Sequence, residues 1–84
     1  MIRYILPVEV QALEEGGYLA LCPVLQGCHA QGDTVSEALD NLMDVARILL
    51  ELRVEDGLPI PEALKEAKEG DVLHGEVLVT LSPE

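Results

Sequence analysis

Residues 17 to 41 constrain the fold more than any other stretch, because they change chain direction three times and then start a helix. Tyr18, Ala20 and Cys22 alternate with Leu19 and Leu21, which suits a pleated strand, and Pro23 ends it because proline has no N–H to donate to a ladder. Gly27 reopens an extended run through Cys28, His29, Ala30 and Gln31, which Gly32 and Asp33 close. Thr34 and Glu37 then stand in Thr-x-x-Glu spacing, the signature of a capping box. The third strand is small-sided: Cys28, Ala30 and Gly32 give one face little bulk, so a helix or a second subunit can approach closely.

The flanking segments complete the pattern. Ile2, Tyr4, Leu6, Val8, Val10 and Ala12 alternate with Arg3, Ile5, Glu9 and Gln11, so residues 2 to 13 read as a first strand. Pro7 interrupts it and predicts an edge position, a bulge, or a site where the missing N–H points away from its neighbour. Glu14-Glu15-Gly16-Gly17 is a hairpin turn, the glycines supplying positive φ. After the cap, Val35, Ala38, Leu39, Leu42, Ala46, Leu49 and Leu50 recur at spacings of three and four, predicting a helix over 35–55 that lays this stripe on the sheet. Gly57 stops it, and Leu58-Pro59-Ile60-Pro61 forms an extended connector. A second, short surface helix is expected from Pro61 to Gly70, then a fourth strand over Glu76–Leu81 and a loose Ser82-Pro83-Glu84 end.

These elements make a single α+β domain over 1–84: two layers, a three-stranded antiparallel meander extended by a C-terminal strand, with the long helix on one face. The chain is 49% hydrophobic and 2% aromatic, so aliphatic side chains build its core. A chain this small struggles to hide so much apolar surface, and a homo-oligomer, a dimer or tetramer, is expected. Met43, Ile48 and Leu52 lie outside the tightest helical stripe and are the candidate subunit contact.

Sixteen acidic residues against five basic ones give a net charge of -11, which argues against direct nucleic-acid binding and would attract a basic partner. Arg3, Glu9 and the acidic helix positions break every apolar run before it can span a bilayer, and the N-terminus has no export signal, so a cytoplasmic protein is the expectation.

Catalytic chemistry finds little footing. A metal-dependent nuclease needs converging carboxylates, yet the first strand offers only Glu9, while Asp33 and Glu37 serve turn and cap. Cys22, Cys28, His29 and His74 lack zinc-ligand spacing, and adjacent Cys28 and His29 point to opposite faces of a regular strand, which also defeats a thiol–histidine pair. Nor does any glycine-rich phosphate loop occur. The chain is therefore expected to be neither an enzyme nor a carrier of a cofactor or metal.

The series Gly17-Tyr18, Ala20, Pro23, Leu25, Gly27-Cys28, Gly32-Asp33-Thr34, Glu37-Ala38-Leu39 and Asn41, with Asp56-Gly57-Leu58-Pro59-Ile60-Pro61 after the helix, resembles the HicB-like family of small antitoxin-related proteins. The resemblance covers most of Gly17 to Pro61 and implies a partial ribonuclease H-like fold. It also implies a binding role, in which the partner is a small basic HicA-like toxin that cleaves RNA and is occluded by the antitoxin. Family members often append a DNA-reading segment, and none is found here before Glu84, so no DNA contact is expected through this chain. Asp40, Asp44 and Glu51 on the exposed helix face, and Glu62, Glu66 and Glu69 on the short helix, are the candidate residues for steering a basic partner. The alternative is a solitary homo-oligomeric structural or regulatory module with no toxin.

Overall fold

A computed structural model describes residues 2–81. The expected loose end, Ser82-Pro83-Glu84, lies outside the described residues. Elements follow in the order β1 (Ile2–Pro7), β2 (Glu9–Ala12), β3 (Tyr18–Leu21), β4 (His29–Gly32), α1 (Val35–Glu55), β5 (Lys65–Glu66) and β6 (Glu76–Leu81). They form two three-stranded sheets, β5-β1-β6 and β2-β3-β4, with antiparallel pairing throughout. The α+β class is as the sequence indicates, and β2-β3-β4 is the expected meander.

The expected first strand runs on through Val8 as β1 and then β2, and its main-chain hydrogen bonds alternate between two sides. Odd-numbered residues face β3 and β5: Leu13 N–H donates to Gly17 O (3.0 Å), and Ala67 N–H to Arg3 O (2.7 Å). Even-numbered residues face β6, as Val8 N–H shows by donating to Gly75 O (3.0 Å). Pro7 falls on the odd side, in the gap between Ile5, which pairs with Lys65, and Glu9, which pairs with Leu21. Its missing N–H therefore costs no ladder bond, which explains why a proline is tolerated there.

The hairpin is built as its glycines require: Gly16 and Gly17 have φ of 101° and 82°. Thr34 caps α1 from an extended backbone, its Oγ1 accepting from Glu37 N–H at 3.0 Å. Glu37 Oε1 accepts in return from Asp33 N–H (3.0 Å), one residue earlier than in the usual box. At the other end Gly57, with φ 74°, donates to Val54 O (3.2 Å), and Leu58 N–H donates to Arg53 O (2.8 Å), a Schellman stop.

The core gathers Leu6, Ala20, Cys22, Leu25, Cys28, Ala38, Leu42, Ala46, Leu50, Leu64, Val79 and Leu81. Leu6, Leu42 and Leu50 are its largest fully buried side chains, each stabilising the fold by roughly 1.5–3 kcal/mol relative to exposure. Helix α1 packs on β3, β4 and β6. It comes so near β4 that a Cβ built on Gly32 would collide with the main chain of Glu37 and Ala38, so the small-sided strand admits the helix and not a second subunit at this point. Val35 departs from the expected stripe. It sits in the first turn, outside the sheet's cover, and is 42% exposed.

One element differs outright. No helix forms from Pro61 to Gly70. A single turn, Leu64 N–H to Pro61 O (3.0 Å), leads into the two-residue strand β5, which pairs with Tyr4 and Ile5 of β1. The physical reason lies on the partner strand. β3 does not extend far enough to pair with the odd-numbered main-chain groups of β1, and buried peptide groups need partners. Pairing by β5, with Leu64 turned into the core at 5% exposure, overrides the helical propensity of Ala63, Leu64, Lys65 and Glu66.

Candidate partner-binding surface

Asp40, Asp44 and Glu51 all lie exposed on α1, away from its buried row of Ala38, Leu42, Ala46 and Leu50. Spacings of four and seven residues align them along one stripe, as the sequence periodicity indicates. Arg47 shares the stripe, its Nη2 standing 3.7 Å from Asp44 Oδ1 in an exposed pair, which offsets part of the charge. Such a pair stabilises the helix by less than about 1 kcal/mol and is weakened by salt.

The other acidic trio is not carried on a helix. Without the short helix, Glu62 lies in the turn after Pro61, Glu66 in β5 and Glu69 in a second turn. Glu69 lines an open cleft of about 450 Å³ together with Arg3, Lys68 and Asp71, where nearby cations reduce its pull on a basic partner. The expected short helix is thus corrected: Glu62, Glu66 and Glu69 are exposed on a turn, on β5 and on a second turn instead.

The candidate subunit contact also divides. Met43 is half-buried and packs against the core, whereas Ile48 and Leu52, one turn apart on the other flank of α1, are 51% and 49% exposed.

Cys22 and Cys28 are buried, free and directly opposed, with Cys22 N–H donating to Cys28 O at 2.9 Å. Burial pushes the Cys28 thiol up to about 11, with the neighbouring Cys22 adding to it, and burial raises Cys22 as well. Both are therefore protonated at neutral pH, the opposite of a reactive thiolate. His29 is exposed on β4 beside buried Cys28, as strand alternation requires, and His74 is exposed in the bend before β6. Among the described residues no group of three or more His, Cys, Asp or Glu side chains could hold a metal ion. Among the described residues no helix is long and apolar enough to cross a membrane.

What sequence reasoning missed is the free side of β2, all four of whose residues are exposed. The signal was present in the apolar alternation, which continues unbroken to Ala12 beyond the reach of the core.

Comparison with known proteins adds the lineage. The chain is 43% identical over 60 residues to the UPF0150 protein ssl0738 of Synechocystis, a match spanning 68% of this chain and 82% of that protein. The UPF0150 protein of Archaeoglobus fulgidus is 31% identical over 65 residues, 75% of this chain and 94% of the relative. Antitoxin HicB 1 of Photorhabdus laumondii is 38% identical over 60 residues. The chain is a HicB-like member of the UPF0150 family. The match to HicB 1 covers 71% of this chain but 37% of that antitoxin, and the match to a further Synechocystis relative, ssr1765, covers 61% of it. No protein-family model and no solved structure matches the chain.

Proposed function

We propose that this HicB-like protein acts in the cytoplasm as a non-enzymatic binding protein that occludes a small basic HicA-like RNA-cleaving toxin. The observation that carries this reading is the likeness to antitoxin HicB 1, 38% identity over 60 residues that span 71% of this chain. The stripe of Asp40, Asp44 and Glu51 supports it, since an exposed acidic row on a chain of net charge -11 steers a basic partner and speeds encounter. The buried thiols of Cys22 and Cys28 are protonated and offer no reactive thiolate, in keeping with a binding role.

The test is capture of partners from native cell extract by the tagged protein at low and high salt. A small basic protein that cleaves RNA when freed, and is silenced when this protein is returned, supports the reading. Asp40→Lys, Asp44→Lys and Glu51→Lys together should then weaken that complex by at least about tenfold at low salt and flatten its salt dependence. Unchanged affinity would remove the helix stripe from the contact, and capture of no such protein would refute the antitoxin reading.

A further inference from the structure

One length of main chain has no partner among the described residues. Even-numbered residues of the N-terminal strand turn their N–H and C=O groups away from β3, and Val8 N–H is taken by Gly75 O. β6 starts at Glu76, opposite Pro7, and its chain departs through Gly75. The N–H and C=O groups of Val10 and Ala12 therefore face outward.

The side chains agree. Leu6 on the inner face is fully buried and Val8 packs against the core, but Val10, next but one along the same face, is 39% exposed, and Ala12 is exposed. The opposite edge of the meander is treated differently: Asn41 Nδ2, from α1, donates to Gln31 O of β4 at 2.9 Å and blunts it. Val10, Gln11 and Ala12 include no proline, lysine or inward charge, the usual protections of an open edge.

We infer that the free edge of β2 pairs with β2 of a second copy of this chain, antiparallel about a twofold axis at Gln11. In that register Val10 stands opposite Ala12 of the second copy, and each exchanges both main-chain bonds with its counterpart. Large faces small on the apolar side. Gln11 meets its own copy on the axis, where a primary amide, both donor and acceptor, is self-complementary and a charged residue would repel itself. Glu9 falls opposite Leu13, not another carboxylate. Shifting the axis to Val10 would require Val8 N–H, already bonded to Gly75, and shifting it to Ala12 would set Val10 against Glu14 in the turn. This self-complementarity selects a second copy over a foreign strand.

The interface is small, so the dimer is reversible and concentration-dependent. Both copies carry a charge of -11, with Glu9, Glu14 and Glu15 close to the axis, so association tightens as salt rises. A basic partner shows the opposite sign. The inference does not depend on the toxin reading.

Sedimentation equilibrium of the full chain at low and high salt tests it, with circular dichroism as the fold check. A monomer–dimer equilibrium favoured by salt is expected. Val10→Pro and Ala12→Pro each delete an outward N–H without touching the β3 ladder, and should weaken dimerisation at least tenfold. Gln11→Glu and Gln11→Lys should each weaken self-association, while their equimolar mixture recovers dimers, as heterodimers by native mass spectrometry. A chain monomeric at every concentration overturns the inference. So does a dimer indifferent to the Gln11 changes but dissolved by Ile48→Asp on α1, or association seen only with a basic protein and weakened by salt.

Discussion

The two halves of the N-terminal strand, Ile2–Pro7 and Glu9–Ala12, carry one uninterrupted apolar alternation yet lie in different surroundings. β1 is flanked by β5 and β6 and turns Leu6 into the core at 0% exposure. β2 has β3 alone, and Val10 on the same face is 39% exposed. A period-two pattern thus states which face is apolar, not whether anything covers it. Where the cover is missing, the pattern marks a surface available for association.

The comparison can be broken at its strongest point first. Leu6→Ala should cost about 2–5 kcal/mol in urea unfolding, because the lost methyl groups leave a cavity in the core. A loss below about 1 kcal/mol would mean that the covered half is no better packed than the open one. Next comes the cover itself. Gly32→Ala should destabilise by about 1–3 kcal/mol, since the added methyl collides with the main chain of Glu37 and Ala38 and must lift the first turn of α1 from β4. An unchanged unfolding midpoint would show that the close helix approach is not essential. The smallest effect is expected in the open half: Val10→Ala, measured at a concentration low enough to keep the chain monomeric, should change stability by less than about 0.5 kcal/mol. If it costs as much as Leu6→Ala, the two halves do not differ and β2 is covered within one chain.

Much of the fold was legible because its signals are local. Thr34 and Glu37 start α1, and Gly57 ends it through bonds that span a few residues. Gly16, Gly17 and Pro23 bound β3 in the same manner. The segment 61–70 was not legible. Its Ala, Leu, Lys and Glu residues favour a helix, but the unsatisfied side of β1 takes Lys65 and Glu66 as a strand, a demand written in residues far away in the chain. The placement of Glu62, Glu66 and Glu69 on turn, strand and turn follows from that one change. The helix stripe of Asp40, Asp44 and Glu51 was readable because it depends only on helical period.

The amino-acid sequence by itself determined the α+β class, the bounds of the long helix, the turns and the apolar face of each strand, since these rest on backbone preferences and periodicities within a few residues. Only the tertiary structure decided which strand edges are paired. It recruited β5, placed Pro7 where no hydrogen bond is lost, blunted β4 with Asn41 and left Val10 and Ala12 open. The reason is that a main-chain donor or acceptor is satisfied by whatever the fold brings alongside it, and no local pattern states what that will be.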